Sequence, residues 1–537
     1  MIAVAKPNAA LLHRRHGSLL LVVLITVAVL ALSVYSFSSL MLVEHEAASV
    51  MTRQIQSKYL VDSGLEYTRL YLARPQEEIF ELGGRWDNEE RFRGIQVASG
   101  AGEGSSTRPE NVGRFTLVAP ALNDGILEGR RFGLVNESSK INLNVLPYFE
   151  FYEEGSATSI LMSLPDMTED IAAAILDFID ADDEVREGGA ESDFYSGLNP
   201  SYSAKNGPLD SLDELLLIRD ITPELLFGLD INRNGVLDDE EASLGNISST
   251  EAELELGWAN YLTLYSKESN LTEEGLPRIN INAEDLDQLY DDLKSVFDDD
   301  WANFILLMRI NGPSGAADPD ADSDTVVMGS TIPFEVPEGA EGEFRFNSVV
   351  DLVDQTVTTE NADGKMVTVA SPVESTTMGL SLPMAMQSLT VYEGPSIAGR
   401  INIMQAPRVV LAGIPGMDEE LLEEILAVRE FELDDPNFTD VNRKYETWLL
   451  AERLLGLGPE AVFRMQQLSP FISANGAVFR AEIFGYFGDG RGTSRAEAVL
   501  DTTTPVPRVL LWRDKSHLQT GYSVEALGSE LEAVDSR

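Results

Sequence analysis

A chain of 537 residues with an apolar fraction of 44% has the material for about two to four domains with real cores. Its formal net charge of −50 argues against nucleic acid as a partner, because a polyanion is held by Lys and Arg that displace its counterions, and favours divalent cations instead. There is no cysteine, and the only histidines are His13, His16, His45 and His517, which leaves nothing for a disulfide framework, a thiolate nucleophile, a His-ligated zinc centre or a Ser-His-Asp triad.

A basic leader containing Lys6, Arg14 and Arg15 ends at Gly17, and residues 18–43 then carry no charged side chain. As a helix these roughly 26 residues would rise about 39 Å, enough to cross a bilayer core with tilt, whereas the apolar part of an export signal is much shorter. Cations before the run and Glu44 and Glu46 after it predict a cytoplasmic N-terminus and a translocated bulk. Hydropathy by itself leaves two readings open, a plain N-terminal anchor and a pilin-type membrane entry. Beyond the run the pattern becomes amphipathic through Met51, Ile55, Tyr59, Leu60, Leu65, Leu70 and Leu72 until Arg74-Pro75, predicting one long helix, half membrane and half soluble. A Gly/Ser/Glu-rich stretch at 99–110 precedes two expected strands at 114–118 and 131–135.

From Ile160 the period turns helical, with Pro165 in the turn between two helices, and a further pair follows at 208–229 with starts at Ser211 and Thr222. Ile141-Asn142-Leu143-Asn144, Ile279-Asn280-Ile281-Asn282 and Ile401-Asn402-Ile403-Met404 each open a helical stretch. The latter two are preceded by Leu262-Thr263-Leu264-Tyr265 and Leu389-Thr390-Val391-Tyr392, offset by about 127 residues, which predicts a duplicated module. Stretches 312–322 and 337–342, rich in Pro, Gly, Asp and Glu, read as exposed insertions, and strand-like runs at 471–487, 496–500 and 508–512 close the chain. Segments 161–175 and 414–425 resemble helix-hairpin-helix (SAM-like) modules, but Pro165-Asp166-Met167 lacks the phosphate-binding glycines and Pro415-Gly416-Met417-Asp418 has one. Among so many acidic residues they are expected to pack against protein, not phosphate.

The sharpest ligand motif is the 12-residue stretch from Asp230 to Glu241, which fits an EF-hand calcium loop. Asp230, Asn232 and Asn234 would offer side-chain oxygens, Val236 its carbonyl, Asp238 a direct or water-mediated contact and Glu241 a bidentate carboxylate; Gly235 permits the turn and Leu237 would pack inward. The alternative is an acidic Asn/Gly turn of the same composition. The short flanking helix predicts a structural loop, not a sensor that swings open. Asp177, Asp180, Asp182 and Asp183 form a second acidic run, open to three readings: a solvated helix end, a catalytic cluster, or, with Glu191 and Asp193, a second cation site whose donors would be Asp180, Asp182, Asp183, Glu191 and Asp193.

The leader ending in Gly17, the helix continuation Leu60-Val61-Asp62-Ser63-Gly64-Leu65-Glu66, the element Glu137-Ser138-Ser139-Lys140-Ile141-Asn142-Leu143-Asn144, the acidic block 177–183, Gly189-Ala190-Glu191-Ser192-Asp193-Phe194-Tyr195, and Lys205-Asn206-Gly207-Pro208 with Ser211-Leu212-Asp213-Glu214-Leu215 together resemble the K-type minor pseudopilin family of bacterial type II secretion. The resemblance implies an α+β fold: a pilin-like long N-terminal helix plus antiparallel sheet, with a large inserted helical domain of helix-hairpin-helix-like modules. The expected divisions are a leader at 1–17, the long helix at 18–75 with its membrane part at 18–43, a pilin-like β region at 76–145, an inserted helical domain with the calcium loop at 146–260, an additional duplicated helical module with acidic insertions at 261–388, a second K-type helical module at 389–460, and terminal strands and tail at 461–537.

It further implies cleavage by a prepilin peptidase after Gly17 and methylation of Ser18, although Ser18 stands where major pilins carry phenylalanine. Val22 would be the fifth mature residue, in the place of a glutamate that pairs with a neighbouring subunit's amine; an apolar residue there resembles the subunit at the filament tip. The implied role is structural, not enzymatic: initiating a short filament that supports export of folded proteins across the outer membrane. Implied partners are the I- and J-type minor pseudopilins, the inner-membrane assembly platform and prepilin peptidase, with secretin or exoproteins also in reach, from a single-pass inner-membrane location with the head in the periplasm. Other readings are a membrane-anchored calcium-dependent enzyme or binding protein and a type IV pilus minor pilin.

Overall fold

The computed structural model describes residues 17–97, 112–238, 241–243, 256–314, 326–329, 335–337, 339–360, 364–433, 441–488, 490, 492–518 and 520–528. Residues 1–16 of the expected leader at 1–17, the Gly/Ser/Glu-rich stretch at 99–110 and most of the acidic insertion at 312–322 lie outside the described residues.

Helix α1 runs from Gly17–Leu72 without a break. From residue 19 to residue 43 every side chain is exposed, and this part is long and apolar enough to cross a membrane. The second half buries one face through Ser57, Leu60, Val61, Thr68, Tyr71 and Leu72. The helix stops just before Arg74-Pro75, because the proline ring disfavours helical geometry in the residue it follows.

Against that face lies an antiparallel sheet of β1 (Ile95–Gln96), β2 (Gly113–Asn123), β3 (Ile126–Arg131), β4 (Val135–Asn136), β5 (Val478–Phe487), β6 (Ser494–Asp501) and β7 (Arg508–Asp514). The order is β1-β2-β5-β6-β7, with β3 paired to β2 and β4 to β5. The sheet is thus assembled from the two ends of the soluble chain, with Leu117 opposite Ile483 and Phe115 opposite Gly485. The expected strand at 131–135 is corrected: Asp124 and Gly125, with φ of 48° and 80°, make a tight hairpin turn that places the strand earlier, at Ile126–Arg131, and only Val135–Asn136 pair again. Asp-Gly is the dipeptide whose left-handed backbone suits a two-residue turn.

Alternation along the strands makes two unlike faces. Phe115, Leu117, Ala481, Ile483, Ala496 and Ala498 face α1 and form one core with Val61 and Tyr71. The helix can seat closely because glycines stand at the crossing: a Cβ on Gly485 would lie 2.4 Å from the Ser57 carbonyl oxygen, and one on Gly64 2.6 Å from Ile483 Cγ2. Ser57 Oγ and Ser494 Oγ are hydrogen-bonded at 2.6 Å across the same contact.

Everything between β4 and β5 belongs to the inserted part, whose separate core extends from Ile141 to Ala474. Three two-residue parallel pairs tie it together: Ile141–Asn142 with Leu262–Thr263, Ile279–Asn280 with Leu389–Thr390, and Ile401–Asn402 with Ile472–Ser473. Leu262–Thr263 and Leu389–Thr390, read from sequence as opening a copy, therefore close the copy before them. In each opening pair the asparagine Oδ1 accepts the amide two residues on, from Asn144 at 3.1 Å, Asn282 at 2.9 Å and Met404 at 2.9 Å, which turns the chain out of the strand. Each copy then carries a helix capped by a short polar side chain, Thr168, Asp298 or Asp418. The additional module is not wholly helical as expected: Thr356–Glu360 and Met366–Ala370 form a hairpin, favoured by alternating Val and Thr.

The glycine crossing predicts that Gly485→Val destabilises the protein by at least about 2 kcal/mol through overpacking against backbone. Gly379→Ala, where a Cβ meets nothing within 4 Å inside the helix Met378–Ser388, is expected to be neutral or stabilising by up to about 1 kcal/mol. Denaturant unfolding of both variants checks the pair.

Candidate metal centres and the charged face of the sheet

The short helix Pro223–Phe227, capped by Thr222, delivers the chain into the acidic loop, and a bridge between Gly228 and Leu256 closes its base. Arg233 and Gly235 take left-handed backbone, with φ of 55° and 82°. Asp230 Oδ1 accepts the Asn234 amide at 2.9 Å and its Oδ2 the Gly235 amide at 2.8 Å, while Asn234 Oδ1 accepts Val236 N–H at 2.8 Å. Glu241 reaches back to accept the amides of Asn232 at 3.0 Å and Asp238 at 3.3 Å, and Asp238 Oδ1 accepts Glu241 N–H at 3.0 Å. Asp230, Asn232, Asn234 and Glu241 are buried, and Leu237 packs against the helical core.

Burial raises the pKa of Asp230 and of Glu241, against the pull of the backbone amides that each accepts. Asn232 Oδ1 is buried with no hydrogen-bond partner. A free acceptor beside two disfavoured carboxylates is a donor set that a hard cation fits. Leu244, Gly245 and Asn246, expected at the loop's exit, lie outside the described residues.

The second acidic run is sorted by the fold. Asp177 lies on the helix Glu169–Ile179, Asp180 is the residue that ends it, and Glu191 precedes the helix Ser192–Ser196. One oxygen from each of these three lies within 4.8 Å of the others. Arg186 meets Asp177 at 2.8 Å and also pairs with Asp180. Glu191 is 5% exposed, neither of its oxygens has a partner, and Asp180 Oδ1 has none either. Burial, then Asp177 and Asp180, push the Glu191 carboxyl up to about 7.

Of the expected donors, Asp180 and Glu191 converge. Asp182, Asp183 and Asp193 are exposed, with Asp182 accepting the Glu184 amide and Asp183 the Asn206 amide group. Asp177 was missing from that donor set. Its signal is a carboxylate on a helix that is otherwise buried from Ile171 to Ile179, a place where an acid stays only with a partner. Orphaned oxygens make this cluster fit a cation as well.

The sheet face opposite α1 carries Arg480, Glu482, Arg495, Glu497 and Arg513, and the helical insertion covers it. Glu137, fully buried beside the first copy, is held bidentately by Arg480 at 2.7 and 3.0 Å and accepts the Thr263 hydroxyl. Arg480 also pairs with Glu497; Lys515 pairs with Glu497 at 2.8 Å and Glu482 at 3.1 Å; Arg495 pairs with Glu482. Arg495 then donates to the loop carbonyls of Asn232 at 2.6 Å and Arg233 at 2.7 Å, and Lys515 to Arg233 at 3.3 Å. The acidic loop is thereby fixed to strands β5 and β6.

Residues 139–230 match the family model described as type II secretion system (T2SS), protein K. It contains the Asp177, Asp180 and Glu191 cluster and ends at the first residue of the acidic loop. No curated protein matches the chain. A chain of the crystal structure of the GspK-GspI-GspJ complex from the enterotoxigenic Escherichia coli type 2 secretion system is similar over 88% of this chain and 97% of that one, at 11% identity and a TM-score of 0.32, a likeness too loose to equate the folds.

Arg480→Met leaves Glu137 charged and buried, a change expected to cost about 3–5 kcal/mol in denaturant unfolding. The layer also has an acid limit. Burial opposes ionisation of Glu137 and Glu482, but Arg480 on the first and Arg495 with Lys515 on the second hold both below the ordinary 4.5. Depressed carboxylates contribute stability that is complete above that value and is lost as pH falls through the lowered ones. A melting-temperature profile should therefore fall below about pH 4.5, and fall less steeply in Arg480→Met.

Proposed function

We propose that this chain is the K-type minor pseudopilin of a type II secretion system, a structural subunit and not an enzyme, that sits at the tip of the pseudopilus. The observation that carries the reading is the match of residues 139–230 to the protein-K family model behind one long exposed apolar helix, the one candidate membrane span among the described residues, whose second half packs on a sheet. Cleavage after Gly17 makes Ser18 the mature N-terminus, at the head of the apolar run. Val22 lies on the exposed part of that helix, so a subunit placed above would find no carboxylate at the fifth mature position. Such a subunit caps the filament and starts its assembly. Its partners are the I- and J-type minor pseudopilins, packed along residues 18–43, and the assembly platform that extracts it from the inner membrane, with the head in the periplasm. The inserted copies serve as helix-hairpin-helix-like packing units for protein contact, their loops too acidic for phosphate backbone.

Calcium is the ion that this reading assigns to both acidic sites. In the loop Asp230, Asn232, Asn234, Val236, Asp238 and Glu241 would hold it; in the cluster Asp177, Asp180 and Glu191 would. Bound calcium supplies charge neutralisation, and the chain's own residues place the oxygens.

Mass spectrometry of the chain coexpressed with prepilin peptidase should find a mature N-terminus at Ser18. An intact Met1, or cleavage far from Gly17, contradicts the pseudopilin reading. Glu241→Gln and Glu191→Gln should each reduce the calcium-dependent rise in melting temperature. That rise should be larger at pH 7.5 than at pH 5.5, because Glu191 must give up a proton whose pKa is raised to about 7. A melting temperature indifferent to calcium and chelator would refute the metal assignment.

A further inference from the structure

Between the charged face of the sheet and the insertion lies a cavity of about 120 Å³. Six cationic side chains line it, Arg131, Lys140, Arg233, Arg480, Arg513 and Lys515, against four carboxylates, Asp213, Asp230, Glu482 and Glu497. A surplus of two positive charges is thus turned inward by a chain whose net charge is −50. Existing bonds already engage the carboxylates: Glu482 and Glu497 with Lys515, Asp213 with Arg513 at 3.2 Å, and Asp230 with the amides of its own loop.

Two of the cations make no ion pair among the described residues. Arg131, 3% exposed, stacks over the Trp86 ring at 3.5 Å and donates to the carbonyls of Trp86 and Leu134. Lys140 Nζ makes no hydrogen bond or ion pair among the described residues, and burial, then the neighbouring Arg480, lower its pKa to about 7. Cations enclosed in this way are costly unless a counter-charge is supplied.

We propose that the cavity binds a small tetrahedral oxyanion, inorganic phosphate or sulfate, with Lys140 as its principal ligand. The volume exceeds that of one water, about 30 Å³ in the liquid, by enough for such an ion. Donors from the sheet, the first copy and, through Gln405, the third copy all reach the same space. Bound there, the ion joins three parts of the fold. Nothing in the proposal depends on the pseudopilin assignment or on calcium.

The test uses the full chain in detergent, with chelator present. Sodium phosphate, sodium sulfate, sodium acetate and sodium chloride are titrated at matched ionic strength by calorimetry, and melting temperature is followed in parallel. Saturable binding of one phosphate or sulfate per chain, with a rise in melting temperature that chloride and acetate do not give, is expected; which of the two binds identifies the ion. Lys140→Met and Lys140→Gln should weaken that binding at least about tenfold while melting in chloride no lower than the unaltered chain, since each removes an unpaired buried charge. Absence of saturable phosphate and sulfate binding, or binding that both variants leave intact, overturns the proposal.

Discussion

The structure depends on a layer of charge placed where an antiparallel sheet ordinarily meets water. Strands β5 and β6 turn small and apolar side chains toward α1 and Arg480, Glu482, Arg495 and Glu497 toward the insertion, and burial of the second set requires each charge to find a partner. Replacing such pairs by apolar residues often stabilises a protein, so their value lies in geometry. An ion-pair layer accepts one registration of insertion on sheet and makes sliding expensive, whereas two greasy surfaces would tolerate several. Glu137, at the point where the chain leaves the sheet, and Arg495, whose guanidinium also donates to carbonyls of the acidic loop, fix the two margins of that registration.

This arrangement divides the labour between the faces. The apolar face holds the long helix at a glycine crossing, leaving residues 19–43 free along their whole circumference for a membrane or neighbouring helices. The charged face carries the three helical copies away from that helix. For a subunit proposed to cap a filament this separation is useful, because lateral packing of the helix and exposure of the head do not compete for the same surface.

Much of this was legible in the sequence where the signal is local. The apolar run, its amphipathic continuation and Arg74-Pro75 defined α1; the Ile-Asn repeats marked where copies open; the spacing from Asp230 to Glu241 marked the loop. What stayed hidden depends on distance along the chain. The partner of Ile141–Asn142 is Leu262–Thr263, and no nearby residue states that this second segment closes a copy instead of opening one. Asp177 joins Glu191 only because the chain folds back after the helix. The burial of Arg480 and Glu482 follows from an insertion that the strand itself does not encode. The Asp124-Gly125 turn is a local signal too, since the left-handed backbone that Asp-Gly favours sets the register of β2 on β3.

The central claim is that insertion and sheet form one cooperative unit joined through the buried charges and the acidic loop. Native-state hydrogen exchange of the full chain, with calcium and with chelator, tests it most directly. If the loop holds calcium as proposed, chelation is expected to lower protection of the loop amides and, in the same step, of the amides in β5 and β6 that back Glu482, Arg495 and Glu497. Loss of protection confined to the loop, with the strands unchanged, would contradict it.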